Sequence, residues 1–358
     1  MASDTPDTTS AAPEKEHVTS AQVIKVLAGL VIIAAGIYYA RSLLVWVALA
    51  AFISMVCSKP IGWLKEKGVG GGLAIGIVLV CVIGLMLLTV ALVGTAAAGF
   101  SKALPTYQEN LNTLVQGAVH QIERLGGKVD DESLKNLVDS RRLVGLVSGL
   151  IGSLIGALSN TVLILLLVAF MLADSASLPE RLRKAFGGPD ADLSRFYQVT
   201  DSVNTYLWVK TWISLLTGLF VGIGTAILGL DFAILWGFLA FVFNYIPNIG
   251  SLIAAIPAVI LALLQGGWDM AIWTAVIFLV VNNVIGNVLE PRMLGQKMGL
   301  SSLVVFLSLL IWSALLGPIG MLLSVPLTMV IKIALESTPD GQGVAALLAG
   351  GTDEDANG

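Results

Sequence analysis

Asn283, Asn287 and Glu290 stand at i, i+4 and i+7, so a helix through them turns all three side chains to one face. Two carboxamides and a carboxylate supply hydrogen-bond donors, acceptors and one negative charge on that face. Asn244, Asn248 and Asn282 add carboxamides nearby in the chain, and Asp231 and Asp269 stand near segment ends. Their surroundings are otherwise apolar. Ionisable and polar groups inside hydrocarbon are costly, and by default they mark a site or a pathway. For each carboxamide the plain alternative is an interhelical hydrogen bond, worth ~0.6 kcal/mol on average. Glu290 precedes Pro291 near a helix end, where it either pairs with Arg292 or Lys297 or faces a pathway. A path lined by carboxamides and backbone carbonyls suits a neutral, hydroxyl-rich solute better than a bare ion.

The same inventory removes other chemistries. The two histidines, His17 and His120, are far apart in sequence, and Cys57 and Cys81 read as buried thiols. Neither a metal centre nor a disulfide framework is expected, and no cofactor is called for. No Walker A pattern occurs, so ATP does not drive the chain directly. No apolar run carries an arginine ladder, which excludes a voltage sensor, and no basic stripe exists to bind nucleic acid. Nothing points to an enzyme.

Positioning these residues falls to the bulk of the chain. Of its 358 residues 56% are hydrophobic and 12% charged, with a mean hydropathy of +0.88. A soluble domain carries about 25% charged residues, so a water-facing surface for this chain cannot be covered. The charge collects in patches between uncharged runs long enough to cross ~30 Å of hydrocarbon, which takes ~20 helical residues. Such runs are apolar on every face, unlike the alternating strands of a barrel. Helices win. The fold expected is all-α, a polytopic membrane protein with about eight hydrophobic segments, and the lipid bilayer is its first partner. The net charge of −4 says little about other partners, since much of the acid lies in the tails.

Along the chain, residues 1–20 read as a disordered cytoplasmic tail rich in Ser, Thr, Asp and Pro. Residues 21–100 hold N-terminal spans at 23–39, 42–57 and 73–99. The loop between the last two carries Lys59, Lys65 and Lys67, which keeps it in the cytoplasm and the N-terminus with it. Residues 101–142 then form an external insert. There Leu111, Leu114, Val115, Ala118, Val119, Ile122 and Leu125 recur at helical spacing, and a second short helix is expected over 131–139. The stripe either packs on the rest of the protein or the lipid interface, or joins subunits of a homo-oligomer. A span at 143–173 returns inside. Residues 174–210, with Arg181, Arg183, Lys184, Arg195 and Lys210, read as a cytoplasmic connection. Residues 336–358 read as a disordered tail.

The part between, 211–335, is broken by Gly and Pro instead of charge. Its candidate hinges are Pro247, Gly250, Pro257, Pro291, Gly295, Gly317, Pro318, Gly320 and Pro326. Broken helices at membrane depth are tolerated where the freed backbone finds partners or lines a cavity. An internal echo sharpens the reading. The run from Pro247 through Ile249-Gly250 to Pro257 resembles that from Pro318 through Ile319-Gly320 to Pro326. Paired broken segments point to a transporter's binding site; the alternative is chance similarity in a stretch rich in Gly, Leu and Ile.

These residues carry a resemblance. Phe243-Asn-Tyr-Ile-Pro-Asn-Ile-Gly250, Gly286-Asn-Val-Leu-Glu-Pro-Arg-Met-Leu-Gly295 and Leu316-Gly-Pro-Ile-Gly-Met-Leu-Leu-Ser-Val-Pro-Leu327 resemble the signature of the autoinducer-2 exporter family of bacterial membrane proteins. The likeness runs from about residue 21 to 335, with a departure at Ser301-Ser302. It implies an oligomeric inner-membrane protein that exports small molecules, autoinducer-2 being the named example, with sodium or lithium/proton antiport in some relatives. Carried over, it marks Asn244, Pro247, Gly250, Asn287, Glu290, Pro291 and Gly295. The leading expectation is a secondary permease for a small polar solute, with the hairpins at 247–250 and 317–320 meeting around it. Antiport, and a non-transporting scaffold acting through the insert, are the rivals.

Overall fold

The structure, a computed structural model, describes residues 28–124 (save 30, 33 and 34), 140–175 (save 159), 181, 184, 194–294 (save 248), 300–336 and 341–348. Within these residues every regular element is helical. Five helices are long and apolar enough to cross a membrane, and three shorter apolar ones accompany them. Large apolar side chains such as Leu85, Leu88, Phe170 and Leu219 are exposed. In a bilayer this outward-facing apolar surface meets lipid, and the chain is a multi-pass helical membrane protein.

Helix α1 (Arg41–Glu66) turns at Gly68, whose φ is +87°, into α2 (Gly71–Arg124). At 54 residues α2 is about 81 Å long, far more than a bilayer needs. The expected boundary at 100/101 therefore does not exist. The third span and the first part of the insert are one helix, because the buried face of Val93, Ala96 and Phe100 continues in register through Tyr107 and Leu111. Val115 packs against the same core, and Leu114 reaches Gly267 of a neighbouring helix. That part of the stripe packs on the protein's own core. Ala118 and Ile122 have undescribed side chains, and Leu125 and the helix expected over 131–139 lie outside the described residues, as do residues 1–20.

The expected span at 143–173 is broken in two. α3 (Ser140–Leu158) packs Val147 and Ile151 into the core that holds α2. α4 (Thr161–Ser175) packs Ile164, Val168 and Leu172 against α1. α5 (Ser194–Ile227) then runs straight through the expected boundary at 210, so Lys210 belongs to a helix interior and not to a connection.

Two helical hairpins follow. The first is α6 (Ala233–Phe243) and α7 (Gly250–Val281), the latter kinked at Gly267, where φ is +74°. The second is α9 (Ser302–Leu316) and α10 (Pro318–Glu336), hinged at Gly317, where φ is +70°. Between them run a π-helical segment (Asn282–Leu289) and the short α8 (Glu290–Leu294). The echo has a structural counterpart. A Cβ on Gly250 would lie 1.8 Å from the Phe243 carbonyl oxygen, and one on Gly320 would lie 2.0 Å from that of Trp312. Each Ile-Gly pair lets a new helix start hard against the end of the previous one. Pro257 and Pro326 are then buried inside the two returning helices.

Within the tail expected over 336–358, residues 342–348 form a short helix. α11 (Gln342–Leu348) buries Ala345, and its Leu348 carbonyl accepts at 3.3 Å the N–H of Ser301, the N-cap of α9.

A polar knot ties α2 to the base of the first hairpin. The Tyr107 hydroxyl donates to Asp231 Oδ2 at 2.7 Å, and Gln265 Oε1 accepts the Asp231 backbone N–H at 2.8 Å. Asn110 Nδ2 donates to the Leu264 carbonyl at 3.0 Å. Hydrogen bonds to charged groups contribute ~1.5–3 kcal/mol, less where water reaches them. Tyr107→Phe should therefore cost about 1–2 kcal/mol, read as a lowered midpoint of thermal unfolding in detergent.

Candidate functional site

The site begins on α5. Tyr206, Lys210, Ser214 and Thr217 fall at i, i+4, i+8 and i+11, one polar stripe down a membrane helix, and all four are buried. Charge in such a place must be compensated. The Lys210 ammonium forms a salt bridge with the Glu290 carboxylate, whose side chain is 20% exposed against 5% for the lysine. The expected partners of Glu290 were different: Arg292 is exposed, and Lys297 lies outside the described residues. A partner 80 residues away in sequence takes their place.

The tip of the first hairpin docks on the same stripe. Asn244 Nδ2 donates to Ser214 Oγ at 3.0 Å, and the Tyr245 hydroxyl donates to Thr211 Oγ1 at 2.8 Å. Phe52 and Phe241 pack edge-on against the Tyr245 ring. The tip is thus held by two polar contacts and an aromatic clamp, with Asn244 buried.

The third wall is the π-helical segment. A π turn takes in an extra residue and breaks the 3.6-residue period; Asn283 and Asn287 still share a face, but Asn283 does not reach the chamber that Asn287 and Glu290 line. Asn282, Gly286, Asn287 and Glu290 turn inward. Asn283 is exposed, donates to the Leu279 carbonyl at 2.8 Å and accepts from Asn287 Nδ2 at 3.0 Å. It steadies Asn287 from outside the wall.

These elements enclose a chamber of about 590 Å3 lined by Lys210, Asn244, Ile246, Pro247, Ser251, Asn282, Gly286, Asn287, Glu290, Pro291, Leu300, Ser302 and Val305. That volume lies within the ~300–1,000 Å3 of ordinary small-molecule sites. The wall mixes amide, hydroxyl and paired charged groups with a few apolar side chains. Among the described residues no cluster of His, Cys, Asp and Glu could hold a metal ion.

Of the expected site residues, Asn244, Asn287, Glu290, Pro247 and Pro291 line the chamber, and Gly250 closes the tip beside them. Asn248 and Gly295 lie outside the described residues. Asp231, tied into the knot with Tyr107, is elsewhere. The two hairpin tips do not meet around the chamber. Its walls take the tip of the first hairpin and the base of the second, at Ser302, while Gly317, Pro318 and Gly320 stand at the far end of the 15-residue α9, about 22 Å long, and Pro326, within the returning α10, is not among the lining residues. The hairpin bases stand at different levels of α5, one just past its end and the other about halfway along it. The base of one is knotted at Asp231, just past Ile227, and the base of the other lies beside Lys210. Lys210, Ser251 and Ser302 went unread as site residues; the four-residue polar spacing along α5 was the signal available for the first.

The chain also compares closely with known proteins. The family model described as AI-2E family transporter matches residues 27–340. The chain belongs to this family. It is 39% identical to the AI-2 transport protein TqsA of Escherichia coli K12 over 328 residues, covering 92% of this chain and 95% of that one. It is also 39% identical to YhhT of the same strain, over 93% and 95% of the two chains. A Haemophilus influenzae relative, likewise named only for transport, is 37% identical over 90% and 94%. Members of the AI-2E family are transport proteins, not enzymes, and this chain is a multi-pass membrane transport protein.

Proposed function

We propose that the chain is a secondary permease of the cell inner membrane that exports a small polar solute, of the autoinducer-2 type, through the chamber at Lys210–Glu290. One observation carries this reading: the chamber is walled by carboxamides, hydroxyls and a charge pair that cancels itself, at the junction of two hairpins. Such a wall presents donors and acceptors without net charge, which fits a hydroxylated neutral molecule. The name of TqsA gives the solute class. Lys59, Lys65 and Lys67 lie at one end of α1, which supports a cytoplasmic N-terminus. Assembly as a homo-oligomer belongs to the same proposal.

Antiport of sodium or lithium against protons is the weaker reading. A carboxylate bound to a buried lysine is poorly placed to take a bare cation, and Asp231 is committed to Tyr107. A pure scaffold role leaves the polar chamber unexplained.

Efflux from reconstituted vesicles tests the proposal. Ser251→Phe, which fills the chamber, should abolish export of autoinducer-2 while the protein still folds. Asn287→Ala removes about one hydrogen bond, ~1 kcal/mol, and should slow export several-fold. Wild-type flux in both folded variants would sink the assignment of the chamber.

A further inference from the structure

A second cleft, of about 630 Å3, opens between α1 and α5 away from the chamber. Its lining includes Lys59, Trp63 and Glu66 of α1 and Asn204 and Trp208 of α5. Its depth in the bilayer follows from α1 itself. Lys59 stands 18 residues after Arg41, about 27 Å along the helix, close to the ~30 Å of the hydrocarbon core. With Arg41 at one headgroup layer, Lys59 lies at the other. Trp63, 55% exposed, sits where interfacial tryptophans gather, with the Lys67 ammonium 3.9 Å from the centre of its ring.

The cleft carries both signs of charge. Lys59 and Glu66 are seven residues apart, so they share a face of α1 two turns from one another. Among the described residues neither forms a salt bridge. Asn204 Oδ1 is buried without a hydrogen bond. The same residue is part of the cleft wall.

We infer that this cleft binds the headgroup of a phosphatidylethanolamine, with its phosphate on Lys59, its ammonium on Glu66 and Asn204, and Trp63 and Trp208 flanking the headgroup. The zwitterion matches the wall charge for charge. An anionic headgroup would leave Glu66 facing a negative ligand, and a trimethylated ammonium has no N–H to give Asn204 or Glu66. A site of this kind anchors α1 to α5, the helix that carries Lys210, and makes the lipid a partner of the protein.

Native mass spectrometry of the full-length protein in detergent, titrated with phosphatidylethanolamine, phosphatidylcholine or phosphatidylglycerol, tests this. Phosphatidylethanolamine should be retained at least about fivefold better than the other two, ~1 kcal/mol. Lys59→Gln and Glu66→Gln should each erase that preference; both side chains are exposed, and an unchanged melting curve would show that the variants fold. Equal retention of the three lipids would overturn the proposal. So would a preference for phosphatidylglycerol, or undiminished selectivity in Glu66→Gln.

Discussion

Glu290→Gln is expected to destabilise the protein by about 3 kcal/mol and to stop transport. The substitution strands the Lys210 ammonium, 5% exposed, inside a membrane helix with no opposite charge. Truncating one partner of a buried ion pair costs ~3–5 kcal/mol, most of it the penalty of the charge left behind. The lower end applies because the carboxylate is partly open to the chamber. Lys210→Gln should be milder for the same reason: the remaining carboxylate borders a space that water can enter. The double variant Lys210→Gln/Glu290→Gln removes both charges and should recover most of the stability. Melting curves of the three proteins in detergent check this ordering. Efflux then separates structure from function. If the pair belongs to the pathway, the double variant folds and still fails to transport; if it is structural alone, its flux returns.

Gly250→Ala should be as damaging by a different route. The added methyl would sit 1.8 Å from the Phe243 carbonyl oxygen and 2.7 Å from its carbon. Neither atom can yield without unwinding the end of α6. Overpacking costs ~1–3 kcal/mol and occasionally more, and a backbone clash this close belongs at the upper end, about 3 kcal/mol. The hairpin tip would shift, carrying Asn244 off Ser214, and export should fall more than tenfold. Gly320→Ala meets the Trp312 carbonyl oxygen at 2.0 Å and should destabilise equally. Its hairpin tip does not line the chamber, so flux per folded molecule should fall less. Gly62→Ala and Gly84→Ala, with nothing within 4 Å of the new methyl, are the neutral controls.

These glycines were legible because a hairpin at membrane depth needs them, and the Pro-flanked Ile-Gly pairs stand out in an apolar sequence. The helical membrane architecture was legible for a similar reason, since scarcity of charge leaves few other folds. Charge misled where it was taken to end a helix. Lys102 was taken to lie past the end of the third span, yet the helix continues because its apolar face continues. Lys210 was read with the surface charges around it, although its partner on α8 is a tertiary fact that no local pattern contains. Asn282 and Asn283 show a third limit. A period of 3.6 put Asn283 on the working face, and a π turn gave that place to Asn282.

The most direct measurement is a density map of the protein prepared with autoinducer-2. The predicted result is solute density inside the chamber, within hydrogen-bond distance of Asn282, Asn287 or Ser251, and lost in Ser251→Phe. Solute bound elsewhere along the helices, with the chamber empty in a preparation active in export, would contradict the account.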